Sequence, residues 1–121
     1  MKIEVIKIID RGVPQDERLW LKVLNDTDLS FYIVIHTNYI TTNSISSNHQ
    51  HSFWFPPKKV KSGDYIILYT RSGVSTESKN ADGSTNHFIY WGLSSSVYNS
   101  HVDCAVIFEV NTWKTTPLEQ K

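Results

Sequence analysis

Two histidines one residue apart are the first place in this sequence where residue type and spacing could support chemistry. His49 and His51 lie in "NHQHSFWF" (48–55), directly before three aromatic residues. In an extended segment both side chains would point to one face, where they could chelate a transition metal. A structural zinc site needs four protein ligands and a catalytic one usually three, and no spacing links further ligands to this pair. We therefore predict a junction between a loop and a strand, and keep a metal-dependent site at His49 and His51 as an alternative.

The other groups that could act in catalysis have weaker patterns. Cys104 alternates with Val106 and Phe108, which predicts the apolar face of a strand, where a buried thiol is hard to ionise. His101 and Asp103 could form an acid–base pair on one strand face, but a capped strand entrance explains them equally well. We therefore predict that the protein is not an enzyme and needs no cofactor.

Several polar and aromatic residues are candidates for binding. The run "KKVK" (58–61) is the densest basic patch and could contact phosphate, although such runs are typical of a solvated strand entrance. Trp20 shares its strand face with Lys22 and is the best candidate for an exposed contact, whereas Trp54 and Trp91 adjoin other aromatics, which favours core positions. The predicted binding residues are His49, His51, Trp20, Lys58, Lys59, Lys61, His87 and Asp103.

The composition is that of one ordinary domain spanning residues 1–121. The 12 basic and 12 acidic residues balance, so no bulk electrostatic force draws the chain to nucleic acid or to a membrane. Charges interrupt the apolar run of "MKIEVIKIID" (1–10), which argues against a signal peptide, and no run is long enough to span a membrane. A single cysteine allows no internal disulfide. We therefore expect a cytoplasmic protein with no membrane contact.

The elements that would position these residues are strands. In "RLWLKVL" (18–24) Leu19, Leu21 and Val23 share one face, which is the period of a half-buried strand. No segment keeps an apolar stripe of helical period over three turns. Similar β-branched and aromatic runs occur at 3–8, 31–36, 64–70, 87–93 and 104–110. Turns rich in Gly, Pro, Asn and Asp separate them, so we predict an all-β sandwich or barrel.

Two polar connections, 37–52 and 70–86, are unusually long. Both are dominated by Ser, Thr and Asn. Loops of this length in a compact domain are usually functional or mobile. We therefore expect both segments to be loops, and they are candidates for partner binding.

Three segments in order resemble the lamin-tail domain family. The first is "ERLWLKVLNDTDLSFYIVIHT" (17–37), followed by "FWFPPKKVKSGDYIILY" (53–69) and "FIYWGLSSSVYNSHVDCAVIFEV" (88–110). At the position of Tyr32, in the first segment, the family usually has Trp, and the two long polar segments are further departures. The positions that match the family are Glu17, Asn25, Leu29, Ser30, Tyr32, Asn99 and Asp103.

The resemblance implies an immunoglobulin-like β-sandwich, for which the runs and turns above predict about seven to nine strands. It also implies a non-catalytic module, because lamin-tail domains in general serve protein, nucleic-acid or surface contacts. The leading hypothesis is thus an interaction module of lamin-tail type that contacts a protein partner through a sheet face or the long loops, as a monomer or a homodimer.

A second hypothesis is a barrel that reads nucleic acid or a modified base. "KKVKSGDYIILYTRSG" (58–73) is similar to the Gly-Asp turn and strand of PUA-like barrels. The neutral net charge disfavours this hypothesis. The metal-dependent site is the third.

Overall fold

The computed structural model describes residues 1–119 and contains eleven strands within them. The described residues include no helix that is long and apolar enough to cross a membrane. The strands are β1 (Ile3–Ile9), β2 (Arg18–Val23), β3 (Thr27–Asp28), β4 (Tyr32–Thr41), β5 (Ser44–Ile45), β6 (His51–Trp54), β7 (Lys59–Val60), β8 (Tyr65–Tyr69), β9 (Thr76–Lys79), β10 (Thr85–Tyr90) and β11 (Asp103–Glu109).

The larger sheet has the strand order β1-β2-β8-β10-β9. Its neighbours pair antiparallel except β8 and β10, which are parallel. The chain passes from β8 to the outer edge, where β9 forms a hairpin with β10, and β10 then fills the position beside β8. The hairpin places the end of β9 next to the start of β10.

The smaller sheet is built on β4, which pairs with β11 on one side and with β5 and β6 on the other. The short strands β3 and β7 form a separate pair. In the described part of the chain none of these sheets closes on itself. The described residues are therefore all-β with several open sheets, an arrangement consistent with a β-sandwich, and they form no closed barrel of the kind that the second hypothesis required.

Alternation within the strands decides which side chains form the core. Leu19, Leu21 and Val23 are completely buried, which confirms the predicted inward face of β2. Side chains of both sheets meet in one apolar cluster. Its buried members are Ile3, Leu19, Leu21, Val23, Leu29, Tyr32, Val34, Phe55, Val60, Ile66, Leu68, Ile89, Val97 and Tyr98.

The prediction of long loops at 37–52 and 70–86 is wrong, because each segment contains strands. β4 continues to Thr41 and pairs with β5, and β9 pairs with β10 within the second segment. The side chains of β5 and β9 are exposed on both faces. No apolar alternation therefore marks these strands in the sequence.

Cys104 and Trp54 also lie outside the core, contrary to the prediction: Cys104 is only half-buried and Trp54 is exposed. Ala105 and Ile107 are the residues of β11 that pack against the core, so the face of Cys104 points outward. Both faces of β11 carry apolar side chains, and alternation alone cannot choose between them. In β6 it is Phe53 that packs against the core, and Trp54 is 46% exposed on the opposite face.

Candidate functional site

The histidine predicted to pair with His51 is not the one that contacts it. His49 is exposed in the irregular segment before β6, whereas His51 lies opposite His36 of β4. The Nδ1 atoms of His36 and His51 are 3.3 Å apart, and Nε2 of His36 is 3.0 Å from Oδ1 of Asp103. If the His36 ring is neutral and donates from Nε2 to this carboxylate, its Nδ1 accepts and His51 is the donor of the second hydrogen bond.

These contacts join Asp103, His36 and His51 in one hydrogen-bonded series and orient both imidazole rings. Burial raises the pKa of Asp103, but the hydrogen bond from His36 and one from a backbone N–H outweigh it, so the pKa lies below its ordinary value. Cys104, the next residue of β11, lies on the opposite strand face from Asp103, and partial burial raises the pKa of its thiol. Across residues 1–119 no group of three or more His, Cys, Asp or Glu side chains is arranged to hold a metal ion.

A polar cleft of about 700 Å³ brings together half of the predicted binding residues. We call it the lysine cleft: it lies between the 58–64 segment, which contains β7, and the β9–β10 hairpin. Asp64, Thr85 and His87 are its buried members. The basic residues that line it are Lys58, Lys59, Lys61, Lys79 and His87.

Two carboxylates flank the imidazole of His87 in the lysine cleft. Nε2 of His87 lies 2.9 Å from Oδ2 of Asp64, and Nδ1 lies 3.5 Å from Oε2 of Glu77. Burial raises the pKa of Asp64, but hydrogen bonds from His87 and from two backbone N–H groups outweigh it, so the pKa lies below its ordinary value. The Lys58 ammonium, 3.1 Å from the same Glu77 oxygen, lowers the pKa of Glu77.

Trp20 is half-buried on the outer face of the larger sheet. The Lys7 ammonium lies 5.8 Å from the centre of its ring. Nearby along β8 and β10, Tyr69 and Tyr90 stack with their centres 5.2 Å apart, and the Arg71 guanidinium lies about 5 Å from both rings. Because cations of the chain already cover these aromatic faces, little free ring surface is left for stacking bases.

The outer face of the smaller sheet is apolar. Phe108, Ile33 and Trp54 lie in register across β11, β4 and β6 and form a row over three strands. Trp113 packs edge-on against Trp54, with ring centres 5.1 Å apart, and Phe31 is exposed one residue before β4. We call Phe31, Ile33, Trp54, Phe108 and Trp113 the apolar face; four of its five side chains are between 46% and 62% exposed.

No protein-family model, no curated protein and no solved structure matches this chain. The resemblance to the lamin-tail domain therefore rests on the sequence motifs and stays a prediction. The class of protein that the structure defines is an all-β domain with open sheets.

Sequence reasoning found some members of these surfaces and missed others. Lys58, Lys59, Lys61 and His87 meet in one cleft, but His49 and Trp20 lie outside it. The cleft also contains Asp64, Glu77 and Lys79, which had not been predicted. The spacing of Glu77 and Lys79 predicts that both side chains lie on one face of a strand. Only the register of β9 on β10 shows that this face lies beside His87 and Thr85.

Proposed function

We propose that this protein is a non-enzymatic interaction module of lamin-tail type, with an immunoglobulin-like sandwich topology, whose apolar face binds a protein partner. The observation that carries the proposal is the row of Phe108, Ile33 and Trp54, which Trp113 extends by packing on Trp54, with Phe31 exposed one residue before β4. Scattered apolar side chains are normal on a protein surface, but a contiguous aromatic patch is typical of an interface. Removing such a patch from water favours association, although only the surplus over the entropy cost of association contributes to affinity.

A second copy of the chain is the partner that best fits this face. None of the five side chains of the apolar face carries a charge, so two copies can meet without pairing or desolvating ions. The 12 basic and 12 acidic residues of the whole chain also balance, which removes net repulsion between copies. Aromatic residues are enriched at interface cores, where charged residues are depleted.

Sedimentation equilibrium in the micromolar range tests this proposal with the variant Phe108→Lys. We expect the wild-type chain to dimerise and the variant to dimerise about 30-fold more weakly, because losing an aromatic anchor at an interface costs about 2 kcal/mol. The matched control is Val74→Lys, because Val74 is 82% exposed and lies outside the apolar face. A wild-type chain that stays monomeric, or equal effects of the two variants, would refute the proposal.

A further inference from the structure

The lysine cleft is a second surface, and its chemistry differs from that of the apolar face. Lys58, Lys59, Lys61 and Lys79 line it together with three carboxylates. Two of these carboxylates already accept hydrogen bonds from other groups of the protein. Asp64 accepts hydrogen bonds from His87 and from backbone N–H groups, and Asp82 accepts from the backbone N–H and the hydroxyl of Ser84.

One ring nitrogen of His87, Nδ1, lies next to Glu77 of the cleft and has no hydrogen bond. The side chain is only 6% exposed, and Nε2 lies 2.9 Å from Oδ2 of Asp64. Nδ1 is buried and has no hydrogen-bond partner. Its separation of 3.5 Å from Glu77 is too long for a good hydrogen bond. When the ring is protonated, Nδ1–H becomes a donor directed at the position of the Glu77 carboxylate.

Glu77 marks where an anion sits in this cleft. A single oxygen, Oε2, is approached by Lys58 Nζ at 3.1 Å and by His87 Nδ1 at 3.5 Å. The Glu77 side chain is 53% exposed on β9, which lies at the edge of the larger sheet, and can therefore turn away into solvent. We propose that the lysine cleft binds a small phosphorylated molecule, whose phosphoryl group takes the position of the Glu77 carboxylate between Lys58 and His87.

The cationic side chains of the cleft favour a phosphoryl group over a carboxylate. Arginine binds carboxylate and phosphate alike through two parallel hydrogen bonds, and no arginine lines the cleft in the described residues, so its positive charge comes from lysines and His87. Lysines act as point charges and suit a group with several charged oxygens. Lys59 and Lys61 are exposed beside the proposed position and add positive charge around it.

The size of the cleft favours a small molecule over a nucleic acid. Its volume of about 700 Å³ lies in the range of small-ligand pockets. A nucleic-acid surface would instead need a longer track of cations, whereas the chain as a whole is neutral. This inference rests on the cleft alone and does not depend on the apolar face.

Calorimetric titration with inorganic pyrophosphate at low salt tests the inference. We expect one site, and we expect Glu77→Gln to strengthen binding about tenfold because it removes the charge that competes for Lys58 and His87. Lys58→Gln should weaken binding by a similar factor. Glu4→Gln and Lys114→Gln are the matched controls, because they make the same charge changes at exposed positions outside the cleft. Each control should change the affinity for pyrophosphate only slightly.

Both variants of the cleft change exposed or half-exposed side chains, so folding should be preserved and circular dichroism can verify it. In the bound state the ¹⁵N resonance of His87 Nδ1 should shift. Absence of binding to wild type and Glu77→Gln, or equal effects of cleft and control variants, would overturn the inference. Tighter binding of a single-stranded oligonucleotide than of pyrophosphate, weakened equally by Lys58→Gln and Lys114→Gln, would overturn it in favour of a nucleic-acid surface.

Discussion

Glu17 is a completely buried carboxylate that joins distant parts of the chain. Burying a charge is costly unless its hydrogen bonds are satisfied, and this one accepts four. The donors are the backbone N–H groups of Gly12, Val97 and Tyr98 and the hydroxyl of Thr70, at 2.9–3.0 Å. Glu17 is also the acidic residue at the start of the first segment that resembles the lamin-tail domain, and its role here is structural.

Replacing Glu17 with alanine should strongly destabilise the fold. Glu17→Ala leaves several buried donors without acceptors, which should lower the free energy of unfolding by about 3 kcal/mol or more. Urea denaturation measures this loss. Glu4→Ala removes an exposed carboxylate from β1 and should cost less than about 0.5 kcal/mol. Similar losses in the two variants would show that the Glu17 contacts contribute little.

Asp64 and Asp103 should make the fold sensitive to acid. For each, burial raises the pKa, but hydrogen bonds led by that of a histidine lower it below the ordinary value of 3.8. A carboxyl whose pKa is lower in the folded state contributes stability above the pKa of the unfolded state. That contribution is lost as the pH falls through the folded pKa. The free energy of unfolding should therefore decline below about pH 4.

Urea denaturation between pH 7 and about pH 3 tests the contribution of Asp64. Asp64→Asn should be less stable than wild type by about 2 kcal/mol at pH 7, because the amide cannot accept from all the donors that the carboxylate satisfies. Its stability should then decline less on acidification. Glu4→Gln reports the effect of losing an exposed carboxylate. A decline in Asp64→Asn parallel to that of wild type would contradict the assigned role.

At the scale of the elements, β11 shows how a strand with two apolar faces can mislead. Ala105 and Ile107 face the core, whereas Phe108 is 47% exposed on the apolar face. The pairing of Ile107 with Val34 and of Phe108 with Ile33 fixes this choice. Val34 is completely buried, so its partner must also point inward.

A pair of alanine substitutions tests the orientation of β11. Ile107→Ala should lower the free energy of unfolding by about 2 kcal/mol, because it opens a gap against the core. Phe108→Ala should cost less than about 1 kcal/mol in the monomer, since nearly half of its side chain is in solvent. Chemical denaturation at a concentration where the chain is monomeric separates folding from association. A larger loss for Phe108→Ala would mean that the strand faces the other way.

The sequence predicts the elements with strong apolar alternation and misses those without it. β2 was found with its inward face because Leu19, Leu21 and Val23 alternate with more polar residues. β5 and β9 were missed because backbone pairing rather than apolar burial holds these exposed strands. The partners of Glu17 lie up to 81 residues away, so only the folded chain brings them together.

In the candidate sites too, contacts between residues that are distant in the sequence could not be predicted. The lysine run and His87 are visible in the sequence, but their convergence needs the parallel register of β10 on β8. The apolar face needs the register of Phe108 and Trp54 on Ile33, which no local pattern contains. Residue types were therefore predictable, and the distances between them were not.

At the scale of the whole molecule, the two sheets use their outer faces differently. The larger sheet covers its outer aromatic rings with Lys7 and Arg71 of the same chain. The smaller sheet leaves Phe31, Phe108 and Trp113 exposed. A face whose apolar side chains are left uncovered is the surface from which water is most favourably removed, which is why we assign partner binding to the smaller sheet.

The most direct test of that assignment is to follow the backbone amide spectrum of the ¹⁵N-labelled chain by NMR as it is diluted. Self-association through the apolar face predicts concentration-dependent shifts at Ile33, Trp54 and Phe108 and none around His87 of the lysine cleft. The shifts should disappear in Phe108→Lys and persist in Val74→Lys. Spectra that do not change with concentration, or changes centred on the larger sheet or the lysine cleft, would contradict the assignment of the apolar face as the binding surface.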